Sequence, residues 1–294
     1  MKKQVLVTLL ACAIVGTSAV CEVIAQTAPV ATGTATMGAV TTGTAAPARG
    51  GRGGRAQVPP GPPAPVPPEV AITQPARDNA CIRPAPSARG KRHTGLVQTA
   101  NNGDFDIMFI GDSITDLLGA TDDGRGNPGG KPEVQKYFGD VKVANFGVSG
   151  DTTQGVRWGF QNGEGQGHKP KAIMLMIGTN NTGGASGPEI AEGIGADILE
   201  LRKDFPDAKI MLLAIFPRGT SPADANRRKV EEANKIIAKL DDQKHVFFVN
   251  INDKFLDEKG GLIGFRTTDN LHPVSKGFDI WLSSVAPTLK SWIK

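Results

Sequence analysis

"MFIGDSITD", residues 108–116, carries an apolar run into a Gly-Asp-Ser turn and then resumes an apolar pattern at helical spacing. If the apolar run is a buried strand, Ser113 stands at its carboxyl end, the edge at which open α/β sheets bind their ligands. The same tripeptide also serves as an ordinary strand-to-helix turn with a capping side chain. Its meaning therefore depends on what the rest of the chain brings to that edge.

Apolar runs recur beyond it: "IMFI" (107–110), "VKVANF" (141–146), "AIMLMI" (172–177), "IMLLAIF" (210–216) and "VFFV" (246–249), with helix-length segments between them. Continuous apolar strands separated by helices indicate a parallel sheet covered on both faces. The helices carry their own stripes. Pro188 suits a first helical position, and Ile190, Ile194, Ile198, Leu201 and Phe205 then share one face. Ser221 reads as the N-cap of a second helix with Val230, Ala233, Ile237 and Leu240 inward. Phe278, Trp281, Leu282, Val285, Leu289 and Trp292 form a third stripe. The pattern predicts a three-layer α/β/α sandwich, and right-handed crossovers bring the carboxyl ends of its five strands to one edge.

The front of the chain is different. Lys2 and Lys3 followed by "VLVTLLACAIV" and small-residue sites at Ala19 or Ala25 read as a secretory signal over 1–25, too short in its apolar run to span a bilayer. Residues 26–93 are rich in Ala, Thr, Gly and Pro, with "ARGGRGGRAQ" and "VPPGPPAPVPP", and read as a solvated linker. This leaves 94–294 as one folded domain and predicts a secreted or periplasmic protein. The two Arg-Gly-Gly units are read as linker, not as an RNA-binding element. The formal charge of +4 owes much to this tail and to "ARGKRH" at 88–93. Three cysteines, at 12, 21 and 81, build neither a disulfide framework nor a metal site.

A serine nucleophile needs a base within hydrogen-bond reach. Of four histidines, His93 lies in the basic linker, and His168 and His245 precede strands three and five, at the opposite edge. Only His272, in "DNLHP" (269–273), follows the last strand. Asp269, three residues upstream, can hold the far nitrogen of that imidazole. Candidate donors for an oxyanion are the Ser113 N–H at a helix start, the Gly150 N–H and the Asn180 side-chain amide. Asp112 is a rival acid, but beside Ser113 it is better placed to serve the turn. Asp112, Trp158, Phe216 and Arg218 are candidates for lining the substrate site.

Gly111-Asp112-Ser113, "NFGVSGDTT" (145–153), "GTNN" (178–181) and "DNLHP" appear in the order of the four blocks of the SGNH, or GDSL, hydrolases. "NFGVSGDTTQGVRW", "GTNN" and "FPRG" (216–219) especially resemble the catalytic subunits of intracellular platelet-activating factor acetylhydrolase and bacterial relatives. The resemblance spans 104–294. It implies a flavodoxin-like parallel sheet of order 2-1-3-4-5, Ser113 as nucleophile, Asp269 and His272 completing a triad, and Ser113, Gly150 and Asn180 as the oxyanion hole. It implies no metal and no organic cofactor. Many members end the third block Asn-Asp; this chain has Asn180-Asn181, so local capping is expected to differ. The expected activity is hydrolysis of short, chiefly acetyl, esters of small molecules or polysaccharides, with no nucleic-acid partner, no stable membrane insertion, and an oligomeric state left open. A phospholipid acetylhydrolase or lysophospholipase, and an inactive binding module of the same fold, remain as alternatives.

Overall fold

The computed structural model describes residues 79–294, so the expected signal segment and the linker up to residue 78 lie outside the described residues. Five strands, β1 (Ile107–Gly111), β2 (Val143–Gly147), β3 (Ala172–Met176), β4 (Lys209–Leu213) and β5 (Val246–Val249), pair in parallel in the order 2-1-3-4-5. Ile107 stands between Val143 and Ala172, and the register runs on to Gly111 between Gly147 and Met176. β1 and β3 are buried along their whole length because helices cover both faces.

One face of the sheet is covered by α1 (His93–Asn101), α4 (Thr153–Gly159), α5 (Gly187–Asp204) and α6 (Ala225–Ile237). Met108, Ile110, Ile173 and Leu175 meet Leu96, Val156, Ile190, Ile194, Val230 and Ala233 there. The other face is covered by α3 (Lys131–Phe138) and α7 (Ser275–Trp292), with Ile107, Phe109, Met174 and Met211 against Phe138, Phe278, Trp281 and Leu282. A short helix, α2 (Ser113–Asp116), leaves β1 directly. The three predicted stripes are these two cores.

α5 starts as its sequence dictates: Ser186 and Glu189 form a reciprocal capping box, with Pro188 in the first turn. α6 corrects the expected start. Ser221 accepts from Ala223 N in a turn, and the cap is Asp224, whose Oδ1 accepts from Asn226 N at 2.9 Å and Arg227 N at 3.0 Å.

The linker boundary is corrected as well. Residues 79–93 pack on the domain: Cys81 is buried, and Arg89 is 0% exposed. Arg89 reverses the rule that arginines face water because three acceptors meet its guanidinium, Asp151, Glu164 and the Phe146 carbonyl. His93, assigned to the same linker, opens α1 and bonds Glu164 Oε1 at 2.9 Å.

β1 and its edge neighbour β2 end in glycines for a steric reason. A Cβ at Gly111 would sit 2.4 Å from the Met176 carbonyl oxygen and 2.3 Å from Thr115 Oγ1. A Cβ at Gly147 would sit 2.3 Å from Asp116 N. Without side chains the strand ends approach α2 closely enough to seat Ser113 at the sheet edge. Gly111→Ala forces backbone apart and is expected to lower the unfolding free energy by about 1–3 kcal/mol in urea titration, an overpacking cost; an unchanged midpoint would contradict this account.

Candidate active site

Asp112 takes an extended conformation and its side chain accepts the Ile114 N–H at 3.0 Å, so α2 begins with Ser113 at the lip of the sheet. Ser113 Oγ lies 2.8 Å from His272 Nε2. On the far side of the imidazole, Nδ1 lies 2.8 Å from Asp269 Oδ2. Asp269 Oδ1 meanwhile accepts the backbone N–H groups of Leu271 and His272 at 2.9 and 3.0 Å. Between them Asn270 adopts φ 49°, the left-handed conformation that asparagine tolerates and that makes the turn tight enough for one carboxylate to hold both backbone and ring.

Partial burial works to raise the Asp269 carboxyl, but the His272 backbone N–H, the His272 ring and the Leu271 N–H outweigh it and hold the group below the ordinary aspartate value. It is therefore ionised at neutral pH. A carboxylate can only accept, so Nδ1 keeps its hydrogen and donates it to Asp269, which leaves Nε2 as the acceptor for the Ser113 hydroxyl.

The loops at the carboxyl ends of the strands are tied to each other in sequence around the edge. Val148 N donates to Gly111 O at 3.0 Å, joining the loops after β2 and β1. Asn180 Nδ2 donates to Asp151 O at 2.8 Å, joining the loops after β3 and β2. Arg218 Nη1 donates to Thr179 O at 2.9 Å and Oγ1 at 3.0 Å, joining those after β4 and β3. Gly219 N donates to Asn270 O at 2.9 Å, and His272 returns to Ser113. Gly150, with φ 82° and its N–H in an exposed turn, and Asn180, half-buried with a second amide hydrogen beyond the one given to Asp151, both belong to this ring.

The structure brings Ser113, Asp269 and His272 into contact, and it links the loops of Gly150 and Asn180 to theirs. Asp112 is 1% exposed and caps α2, so it lies beneath the edge instead of lining it. Arg218 is half-buried, with Nη1 engaged by Thr179 and Thr182. Trp158 is half-buried on α4 with its ring 4.6 Å from that of His93. Phe216 is a correction: it is 1% exposed and packed against Phe255, Phe265 and Trp281, because its side chain falls on the core face as the chain leaves β4.

Three supporting residues escaped the sequence reading. Asn145 donates to Thr115 O at 2.8 Å and accepts from Gly147 N at 2.8 Å, bracing the turn under Ser113. Asp116 accepts from Ser149 N and Oγ at 3.1 and 2.7 Å. Asn181, the residue that departs from the usual Asn-Asp, is buried and bonds Thr153 N, Thr153 Oγ1 and Gln154 Oε1. An amide fits there because it must both donate and accept, which a carboxylate cannot. The only sequence signal was their place inside the quoted blocks.

Two clefts lie at the opposite, amino-terminal edge of the sheet: one of about 350 Å³ with Lys169, Phe205, Lys209 and Trp292, another of about 580 Å³ with Gly95, Asn102, Phe105 and Asn145. Among the described residues, no helix is long and apolar enough to cross a membrane.

Residues 109–280 match the GDSL-like lipase/acylhydrolase family. The rat platelet-activating factor acetylhydrolase IB subunit alpha2 is 28% identical over 187 residues, 64% of this chain and 77% of the relative. Among solved structures, a chain described as a platelet activating factor from Streptococcus pneumonia is 24% identical and superposes with a TM-score of 0.56, covering 69% of this chain and 92% of that one. A mutant of a Geobacillus acetyl-xylooligosaccharide esterase shares the fold at 20% identity and a TM-score of 0.50, over 65% of this chain and 96% of that one.

Burial pushes the Asp112 carboxyl up to about 7, the nearby Asp151 adding to the effect while the Ile114 N–H and Arg218 oppose it. A carboxyl that binds its proton more tightly folded than unfolded makes stability fall as pH rises from about 4, its unfolded value, to about 7. Asp112→Asn keeps the capping oxygen and removes the charge. We expect this variant to lose part of the decline in unfolding free energy between pH 4 and pH 7 that wild type shows, by up to about 4 kcal/mol in denaturant titrations; parallel curves for the two proteins would refute the assignment.

Proposed function

The chain belongs to the GDSL-like lipase/acylhydrolase family, and we propose that it is an exported serine esterase that cleaves short-chain, chiefly acetyl, esters with Ser113, His272 and Asp269. The observation that carries the reading is the unbroken line from the Ser113 hydroxyl through the imidazole to the carboxylate, 2.8 Å at each step. A hydroxyl is a weak nucleophile until a base takes its proton, and here the base is already in contact and already oriented.

In this reading His272 Nε2 accepts the Ser113 proton as Oγ attacks the ester carbonyl. The negative charge that forms on the carbonyl oxygen is met by the Ser113 and Gly150 N–H groups and the Asn180 amide, each such donor contributing about 3 kcal/mol to lowering the barrier. Asp269 stabilises the imidazolium. His272 then protonates the leaving alcohol, and the acyl group departs when water, deprotonated by the same nitrogen, attacks it. The proton taken from water passes from His272 to Ser113 Oγ as the acid leaves, so the enzyme is restored with one water consumed.

The acetyl preference rests on the acetylhydrolase and acetyl-xylooligosaccharide esterase names of the relatives and on the absence from the domain's sequence of an insertion long enough to make a lipase lid. Phe216, buried in the core, contributes nothing to it. Acetylated carbohydrate is the favoured alcohol side: the sequence of 1–25 reads as a secretory signal and 26–78 is rich in Pro and Gly, which supports an enzyme that acts among extracellular polymers. In this reading residues 79–93, which pack on the sheet domain, belong to the hydrolase unit with 94–294. A platelet-activating-factor-type phospholipid is the second reading, favoured by the named subunits to which the chain is similar.

With 4-nitrophenyl esters, kcat/KM is expected to be highest for acetate and to fall as the acyl chain lengthens; a steady rise toward long chains would overturn the acyl assignment. A fluorophosphonate probe is expected to label wild type and not Ser113→Ala, whereas an inactive binding module takes up no label. Asp269→Asn is expected to lower kcat by about 10³-fold or more, through loss of the oriented tautomer. Acetate release from acetylated xylan beside a short acetyl phospholipid separates the two alcohol classes.

A further inference from the structure

The family match begins at residue 109, yet a segment upstream of it is built into the edge where Ser113 lies. Ala85 N donates to Gln154 O at 3.1 Å, and Ser87 Oγ lies 3.1 Å from Thr152 Oγ1. Thr153 Oγ1 donates to Cys81 O at 2.9 Å, and Ala88 packs over the bare face of Gly150. At the centre of these contacts is Arg89. Its Nε donates to Asp151 Oδ2 at 2.8 Å, Nη1 to Glu164 Oε2 at 2.6 Å and Nη2 to the Phe146 carbonyl at 3.0 Å, and all three side chains in this cluster are fully buried.

The geometry points to Arg89 as the positioning residue of the oxyanion pocket. Phe146 and Asp151 bracket the turn 147–150, and one rigid, planar guanidinium holds both ends of it. Between the two anchors stands Gly150, whose N–H is one proposed donor. The backbone carbonyl of Asp151 in turn accepts the Asn180 amide at 2.8 Å, which sets the direction of the second donor. Arg89 touches no reacting atom and acts through these two.

Energetics favour this role over a purely stabilising one. Burying a guanidinium and two carboxylates costs several kcal/mol per ion in desolvation, and their attraction roughly offsets it, so such clusters contribute little net stability. What they do supply is a fixed geometry. Oxyanion donors reward fixed geometry, because they act only when aimed where charge develops and a displacement of about 1 Å is enough to lose about a hundredfold in rate. α4 is shaped to the cluster: a Cβ at Gly155 would fall 1.9 Å from Asp151 Oδ1, and one at Gly159 2.5 Å from Arg89 Cδ.

This inference rests on the proposed roles of Gly150 and Asn180, and the experiment keeps the two apart. Arg89→Lys retains the charge needed against Asp151 and Glu164 but cannot span the Phe146 carbonyl and Asp151 together. In Arg89→Lys we expect kcat on 4-nitrophenyl acetate to fall by about tenfold or more with KM within about threefold, and backbone amide exchange over residues 147–151 to accelerate. Asp151→Asn, which keeps the backbone and loses the ion pair, is expected to lower kcat likewise, and the double variant to be no worse than about the weaker single one, because both break one device. If both single variants exchange faster but keep wild-type kcat, or if only melting temperature moves, the positioning role is wrong. A wild-type protein with no activity and no fluorophosphonate label would instead sink the esterase reading, while amide exchange still reports whether Arg89 pins the turn. Should Arg89→Lys not fold, Asp151→Asn alone decides, a kcat within about twofold of wild type overturning the inference.

Discussion

The contact between Ser113 and His272 joins residues 159 positions apart, and everything proposed for the chemistry depends on its being held to hydrogen-bond length. Parallel strands and right-handed crossovers deliver the five loops to one edge, but they do not aim a single side chain. Aim comes from the series of bonds that passes from Gly111 to Val148, from Asp151 to Asn180, from Thr179 to Arg218, from Gly219 to Asn270, and back through His272. Each is individually worth about 0.5–1.5 kcal/mol net. In a closed ring each bond also shortens the segment its neighbours must order, so the loops are far less free together than any pair would be.

Beneath that ring the protein gathers charge in a buried layer. Asp112, Asp151, Glu164 and Arg89 are all essentially buried. Burial raises the Asp112 and Asp151 carboxyls, and Arg218 and Arg89 respectively work against the rise. Such an arrangement is expensive as a source of stability and effective as a source of rigidity, since unpaired buried charge is penalised whenever the geometry slips. Perturbed carboxyls clustered under a serine and a histidine are also what a reactive edge is expected to show.

Much of this was legible in the chain. The five apolar runs and the three stripes marked the two cores because strands buried on both faces read as short continuous apolar runs, while helices covering a sheet on one side keep a stripe at helical spacing. His272 was legible by elimination, as the one histidine beyond the last strand, and Asp269 by its reach of three residues. Phe216 was not, because an aromatic residue just past a strand end faces core or rim according to a single turn of backbone that composition does not record. Ser221 misled for a related reason: it does form a turn, with Ala223, and the stronger acceptor Asp224 follows it. The role of Asn181 was not legible, since it lies in donating and accepting at once to partners 27 and 28 residues away.

The segment 79–93 shows where composition fails as a guide. Arg, Lys, Gly and Pro in close succession describe a solvated linker in most chains, because a buried guanidinium without partners is prohibitively unfavourable. The partners here come from the Phe146 carbonyl and the Asp151 and Glu164 side chains, which only the folded sheet edge assembles. The chain nonetheless carried a trace of it in Gly155 and Gly159, one helical turn apart, where a helix that only covered a sheet would sooner have alanine. Glycines at that spacing make a groove, and a groove on a buried helix face calls for something to fill it. What fills it is the carboxylate of Asp151 against one glycine and the arginine stem against the other, so the small residues of one helix account for how a charge from outside the matched region comes to lie under the reactive edge.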